Sequence, residues 1–559
     1  MTDKAHHERE HFFAAAKVVS GLTVVSRVFG MVRDMAIASL GATRLTSAFV
    51  LAFRIPNLFR RLFGEGALSA AFVPVFTETT EKGGPERARR LFANSMGLLA
   101  MILLALMIVG GAALLVWGAL FPGHWDRQLV LKLTGVMLPF MFTICLLALG
   151  SAVLQCRGHF AYPAFAPILL NIIIIIAAWG VAPLWRGQVT HQLFIIAGSV
   201  TVAGVVQLAA VLWLLRRRGF PIRPRVRPVE PGIAQMLKLM APMVLGLGFL
   251  QIVEFASDII AWILSATDYA PTIHIFGREL QRPLSEGVLM RVYTAQRLYQ
   301  FPMGVLAISL AVAVFPLLSR YAARGDLPNL RDSLNRALRL AIMEGLAAGV
   351  GLFLLAEPIT RLVFIDLVRL LGRSTRFTPE DADVSARVLR MYSLGMWAYC
   401  THTIFLRAFY SLKDVLTPLK VSCALVVLGP LLVALLVWVP QLGPGAFGVA
   451  MTVTAAGNVL VFAVLLRRRL GRLGGRKLAT SALRSAVAAG VMAAAVVGLQ
   501  NALGPAPSWL IVVTCVPAGA AVFLLAVLAM RSPELRELWG RPSRAKQTSE
   551  AGYNGAEKQ

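Results

Sequence analysis

Long runs of apolar residues recur along the chain from near residue 17 to near residue 530, each separated from the next by a short polar stretch. They centre near 17–38, 47–75, 91–118, 130–154, 162–182, 191–215, 236–264, 297–318, 338–364, 386–410, 418–439, 445–466, 479–500 and 508–530. A helix needs about 20 such residues to cross the hydrocarbon of a bilayer. The pattern therefore predicts an all-α, polytopic integral membrane protein with about fourteen transmembrane helices. Several runs are longer than a crossing requires, so some helices must tilt or break. The connection over roughly 265–295 is long and mixes Arg278, Arg282 and Arg291 with Glu279 and Glu286, which suits either an amphipathic interfacial segment or a plain loop. The polar tail from Arg531 has nothing apolar to bury and is expected to be disordered.

An even number of crossings puts both termini on one side, and the basic residues choose which. Arg216, Arg217, Arg218, Arg223, Arg225 and Arg227 fall in one even-numbered connection, and Arg467, Arg468, Arg469, Arg472, Arg476 and Lys477 in another. The connections near 439–445 and 500–508 hold no lysine or arginine. Because basic loops stay on the cytoplasmic face, both termini are predicted to be cytoplasmic. The ninth connection runs against this bias with Arg361, Arg369, Arg373 and Arg376, but also carries Asp366, Glu380, Asp381 and Asp383. No small-residue cleavage site closes a short apolar region near the start, so no cleaved signal peptide is expected.

Composition excludes the main alternative. The 559 residues are 57% hydrophobic and 15% charged, against about 25% charged in soluble domains, so a soluble enzyme is not expected. A formal net charge of +27 would suggest nucleic acid in a soluble protein. Here most of it sits between apolar runs, where it sets topology and attracts anionic lipid headgroups, and no nucleic-acid partner is expected. Cys145, Cys156, Cys400, Cys423 and Cys515 form no CxxC or Cys/His cluster, and no metal site is read. His159, His191, His274 and His402 are scattered and read as structural or loop residues.

The charges inside the apolar runs carry the functional signal, since an ionisable group in hydrocarbon normally faces a bundle interior or a wet cavity. The first run holds Arg27, Arg33 and Asp34. Arg27 and Asp34 share a helical face, with Arg33 about a third of a turn away. In the second, Arg54, Asn57 and Arg61 form a stripe with Arg60 beside it, Pro56 interrupts the helix, and Gly64 and Gly66 flank Glu65. Arg60 and Arg61 suit a cavity wall or, alternatively, snorkelling to headgroups near a helix end. The seventh run places Glu254 and Asp258 one turn apart, and the eighth opens with Arg297 ahead of a Pro302/Gly304 interruption. Converging arginines suit a phosphate-bearing substrate, because guanidinium donates paired hydrogen bonds and stays charged when desolvated. No nucleotide motif is present, so uphill transport would draw on an ion gradient or the membrane potential; no cofactor is expected, and the coupling ion stays open.

The stretches SRVFGMVRD and FRIPNLFRRLFGEGALSAAFVPVF resemble the N-terminal signature of the MurJ/MviN lipid II flippase family. PAFAPILLN at 163–171, QRLYQFPMGVLAISLAVAVFPLLS at 296–319 and RAFYSLKDVLTPLK at 407–420 are similar to later family segments in the same order. The resemblance covers the chain to about residue 530. It implies a fourteen-helix transporter of the multidrug/oligosaccharidyl-lipid/polysaccharide exporter superfamily, with two bundles around a central cavity. The N-terminal bundle would span 1–215, a basic cytoplasmic linker 216–235, the C-terminal bundle 236–466, and a groove for the lipid tail 467–530, before the polar tail at 531–559. The implied activity is moving lipid II across the bacterial inner membrane for peptidoglycan synthesis, with lipid II, membrane lipids and cell-wall synthesis proteins as partners and no enzymatic chemistry. The family's cavity arginines match Arg27, Arg33, Arg60 and Arg297. Asp34, Arg54, Asn57, Arg61, Glu65, Glu254 and Asp258 are further cavity candidates. The chain departs from the family pattern at Ser47, at Gln296 and Gln300 in place of acids, in the insertion around 267–292, and in the Glu254/Asp258 pair. These acids replace the lost ones if span seven approaches the arginines. Export of another polyprenyl-diphosphate-linked glycan or of an amphipathic solute, and a non-transporting scaffold, are the alternatives.

Overall fold

The computed structural model describes residues 2–64, 67–185, 187–220, 224–227, 230–275 and 277–534. Its helices are α1 (Thr2–Ala38), α2 (Arg44–Phe59), α3 (Ala67–Leu120), α4 (Trp125–Cys156), α5 (Ala161–Ile176), α6 (Val189–Arg217), α7 (Gly232–Leu264), α8 (Val288–Ala323) and α9 (Leu327–Leu354). They continue as α10 (Ala356–Arg361), α11 (Leu367–Leu370), α12 (Pro379–Ser393), α13 (Met396–Ser411), α14 (Leu416–Val426), α15 (Leu428–Leu436), α16 (Ala446–Leu470), α17 (Gly475–Leu503) and α18 (Ser508–Ala529). The all-α reading thus holds, with one small exception described below. The predicted tail beyond Glu534 and the predicted Glu65 lie outside the described residues.

Eleven helices among the described residues are long and apolar enough to cross a membrane. Helices underlie the other three predicted spans too, but they depart from a plain spanning segment for visible reasons. α1 carries Arg27, Arg33 and Asp34 in its second half. α2 runs for 16 residues before a π turn at Arg60–Gly64. The predicted span at 386–410 is broken at Leu394–Gly395 into α12 and α13. Each interruption leaves backbone groups that hydrocarbon cannot satisfy, so such helices belong where protein or a polar cavity shields them.

The chain divides into two compact units. The first comprises Met1–Leu298, Thr360–Val388 and Ser422–Ala450. Within it α4 is the most enclosed helix, packed against α2, α3 and α6, with 72% of its apolar window buried. Its length of uninterrupted apolar residues, with polar side chains only at wide intervals, is what permits burial on several faces. α1 packs on α5, while α3 and α15 pack on α7. The start of α2 is fixed by a reciprocal cap in which the Thr43 hydroxyl accepts from the Thr46 N–H and the Thr46 hydroxyl accepts from the Thr43 N–H. Gly287, at φ +78°, lies against the turn between α1 and α2, where a Cβ would come within 1.9 Å of the Ala42 carbonyl oxygen. Only glycine lets the entry to α8 pass there.

The second unit comprises Tyr299–Ile359, Leu389–Val421 and Met451–Gln559. Here α9 packs against α13 and α17, and α17 against α18. Met343, Met492, Val496, Cys515 and Phe523 form its buried apolar centre. Asp326 caps α9 by accepting from the Asn329 N–H. His402 stacks on Phe462, in keeping with a structural role.

The insertion before α8 is neither an amphipathic helix nor a plain loop. It forms an antiparallel hairpin of β1 (Thr272–Ile275) and β2 (Arg278–Gln281), with Thr272 opposite Gln281 and Ile275 opposite Arg278. Alternating Thr272, Ile273, His274 and Ile275 suit a strand, and Gly277 at φ +78° makes the turn. Arg282 ties the hairpin base by donating to the carbonyls of Thr272 and Ser265. Tyr269 stacks on His124 with ring centroids 3.5 Å apart. Burial, together with a hydrogen bond to Asp126, pushes the Tyr269 phenol up to about 12.

Candidate functional site

Two charged clusters lie inside the first unit, joined by adjacent residues on α8. In the first, Asp34 is 2% exposed and gathers donors from two helices. Arg33 places Nε and Nη2 at 2.9 and 2.7 Å from Asp34 Oδ1. The Tyr293 hydroxyl donates to the same oxygen at 2.7 Å, and Arg297 Nε stands 3.4 Å from Oδ2. Arg33 Nη1 also donates to Asn171 on α5 at 3.0 Å, and Asn171 donates onward to the Ser26 carbonyl. The Arg297 guanidinium lies over the Tyr293 ring, 4.5 Å from its centroid. That contact follows from sequence, because residues four apart on a helix are neighbours. Two guanidiniums thus share one buried carboxylate. Guanidiniums gathered in an apolar surrounding attract an anion far more strongly than they would in water.

The second cluster joins α2 to α7. Arg54 Nε lies 2.7 Å from Asp258 Oδ2, and Arg54 Nη2 donates to Gln296 Oε1 at 3.1 Å. Seven residues beyond Arg54, in the π turn that follows α2, Arg61 Nη1 meets Glu254 Oε2 at 3.2 Å and Gln251 Oε1 at 3.1 Å, with Glu254 one turn back along α7 from Asp258. Gln296 faces this pair, while its neighbour Arg297 faces Asp34 about 100° around the helix. Span seven therefore does supply carboxylates to the arginines of span two. They meet Arg54 and Arg61, whereas Arg33 and Arg297 meet Asp34.

Among the other predicted residues, Arg60 Nε donates to Asn57 Oδ1 at 2.8 Å, across one turn of helix. Arg27 is half-buried and makes no ion pair among the described residues. Helical geometry had placed Arg27 on the face of Asp34, yet Arg33 makes the contact. A guanidinium on a long stem reaches around the helix to the very next residue. Tyr293, Asn171, Gln251 and Gln296 complete these clusters without having been predicted as site residues. The signal for Asn171 was present as an isolated amide in the apolar run PAFAPILLN. A third pair, also unpredicted, braces this unit: Arg44 Nε donates to Asp126 Oδ2 at 2.8 Å, and its guanidinium lies 3.4 Å from the centre of the Trp262 ring.

The sequence profile described as Lipid II flippase MurJ matches residues 37–513. The chain belongs to the MurJ lipid II flippase family. A relative in Vibrio cholerae, named as a probable lipid II flippase MurJ, is 29% identical over 510 residues, covering 88% of this chain and 90% of that one. The lipid II flippase MurJ of Burkholderia cenocepacia is 30% identical, covering 82% and 84%. Among solved structures, a lipid II flippase MurJ in an inward closed conformation superposes with a TM-score of 0.72 at 20% identity, covering 92% of this chain and 98% of that one. An inward-facing multidrug resistance MATE family transporter of the MOP superfamily gives 0.63 at 15% identity, covering 82% and 98%. These likenesses establish a shared transporter fold. With eleven apolar helices, MurJ membership makes the chain a multi-pass membrane protein of the bacterial inner membrane.

Proposed function

We propose that this MurJ family member moves lipid II from the cytoplasmic to the periplasmic leaflet by alternating access. Arg27, Arg33, Arg60 and Arg297 recognise the diphosphate, and both termini lie in the cytoplasm. The observation that carries this reading is the buried carboxylate of Asp34 held between Arg33 and Arg297. A carboxylate placed there shows what the guanidiniums are disposed to hold, and a diphosphate offers more acceptor oxygens and more charge. In this cycle Asp34 releases donors to the entering headgroup and takes them back as the headgroup leaves. The arginines thus never face hydrocarbon unpaired, which would be costly. Nothing in this cycle requires covalent chemistry or a cofactor from the protein. The lipid tail stays in the bilayer, along the 467–530 groove that the family resemblance implies.

The test is lipid II binding and flipping in liposomes by Arg27→Lys, Arg33→Lys, Arg60→Lys and Arg297→Lys, with Arg331→Lys as the control. Lysine keeps the charge and loses the planar fork. Binding should weaken in most of the four and stay level in the control, and undecaprenyl diphosphate should compete better than undecaprenol. Normal transport by all four lysine variants, or equal competition by undecaprenol, overturns the phosphate role.

A further inference from the structure

The acidic residues in the described part of the second unit are held, with one exception. Asp326 accepts from the Asn329 N–H, Asp332 pairs with Arg336, and Asp414 with Arg469. Glu534 pairs with Arg339 at 2.6 Å, and Glu357 stands 3.9 Å from Arg390. The exception is Glu344, half-buried on α9. One of its carboxylate oxygens is fully enclosed, and among the described residues no hydrogen bond or ion pair reaches the side chain. It is the only charged residue between Leu340 and Ala356, and its helical neighbours three and four positions away are Leu340, Ala341, Ala347 and Ala348.

The helices packed against α9 are α13, α17 and α18, and their titratable side chains do not supply the missing partner. On α13, Tyr399 bonds Thr452, His402 stacks on Phe462, and Arg407 lies over the Phe315 ring. Cys400, fully buried on the same helix, is near enough to feel a charge on Glu344 but offers no positive one. Arg484 on α17 and Cys515 on α18 make no bond to it. A carboxylate in apolar surroundings without a cation or an N–H is costly, and such a group takes up a proton rather than stay charged.

The seam beside Glu344 leaves little room for a charge and its hydration. A Cβ on Gly345 would come within 2.6 Å of Trp397 Cα, and one on Gly349 within 2.7 Å of the Ser393 carbonyl oxygen. Ser393 and Trp397 flank the break at Leu394–Gly395 that separates α12 from α13. We propose that Glu344 is a proton-binding site, and that binding and release of this proton shift α9 against α13 at that break during transport. The carboxylate takes the proton from water and returns it to water, so only an O–H bond forms and breaks. The proton is thereby the coupling ion. That role rests on the flippase reading, whereas the proton site rests on the second unit alone.

The experiment begins with infrared difference spectroscopy of the full chain in liposomes, stepped in pH without lipid II. The parent should show a carbonyl band of an un-ionised carboxyl group that fades as the pH is raised. Glu344→Gln should lack that band, and Glu344→Asp and Cys400→Ala should keep it. Glutamine copies the shape of the protonated acid, so this variant should insert and melt like the parent. In a lipid II flipping assay the parent's rate should change severalfold with a pH gradient across the liposome, Glu344→Gln should lose that dependence, and Glu344→Asp should retain it. Identical spectra for parent and Glu344→Gln overturn the proton site. An equal response of flipping to the gradient in the two proteins overturns the coupling. A parent that shows the band but moves no lipid II overturns the flippase reading and leaves the proton site in place.

Discussion

Asp34→Asn is the sharpest perturbation of the arginine cluster, because it changes charge at nearly constant shape. The carboxylate is 2% exposed and receives Arg33 at 2.7 Å, Tyr293 at 2.7 Å and Arg297 at 3.4 Å. The amide keeps one acceptor but turns an N–H toward a guanidinium, and it removes the negative charge that Arg33 and Arg297 share. Removing one partner of a buried ion pair costs roughly 3–5 kcal/mol. The purified variant should therefore unfold at a clearly lower temperature, followed by tryptophan fluorescence in detergent. It should also bind undecaprenyl diphosphate at least as tightly as the parent, since the competing internal anion is gone. A double-mutant cycle with Arg297→Gln isolates the contact, and the second change should cost less in the Asp34→Asn background, by about 1–3 kcal/mol of coupling. An unchanged unfolding temperature, or penalties that simply add, would refute the view that the arginines are held through this carboxylate.

The second cluster separates buried from exposed pairing. Asp258→Asn, which breaks a pair whose side chains are 19% and 6% exposed, should cost about 3 kcal/mol or more in thermal stability, whereas Glu254→Gln, half exposed, should cost under about 1 kcal/mol. If the two variants melt alike, the burial of Asp258 is not what gives its pair with Arg54 weight. Gly287→Ala meets both a forbidden φ and a backbone oxygen at 1.9 Å, so membrane-inserted yield should collapse. Gly277→Ala has the same φ with open space around it and should cost only about 1 kcal/mol in a thermal melt. For topology, cysteines introduced at 216–227 should resist an impermeant reagent in intact cells while residues near 441 and 503 react, and labelling of 216–227 from outside would reverse the proposed orientation.

Much of the fold was legible because hydrocarbon imposes a simple length rule on apolar runs, and helices underlie every run read from the sequence. The continuity of those helices was less legible. The break at Leu394–Gly395 and the π turn after Phe59 depend on packing around them, which periodicity does not encode. At the site, Arg33, Asp34 and Arg297 stood out as charges in apolar surroundings, and the structure brings these three together. Their pairing escaped the helical-wheel argument because side-chain reach exceeds the spacing of adjacent residues. The Arg44–Asp126 brace was hidden for a different reason: both residues fall at helix starts, where charge is ordinary, and only the fold buries them to 4% exposure. The hairpin at 272–281 was obscured by its mixed charges, which mask a short alternation of apolar and polar positions.

The π turn at Arg60–Gly64 has an implication for how this lineage tolerates change in length. Such a turn holds one residue more than an α turn between the same hydrogen-bonded ends. Each residue of a regular helix rotates it by about 100°, but the wider turn takes up its extra residue while the faces on either side stay aligned. Arg54 precedes the turn and Arg61 lies within it, and they meet acids one helical turn apart on a single neighbouring helix. Removing one residue from 55–59 would rotate Arg54 away from Arg61 by about 100° and uncouple the two contacts even though no charged residue had been lost. Insertions and deletions should therefore be excluded from 55–59 more strictly than amino-acid replacements, whereas loss of one residue from 62–64 should be tolerated as a return to regular helix.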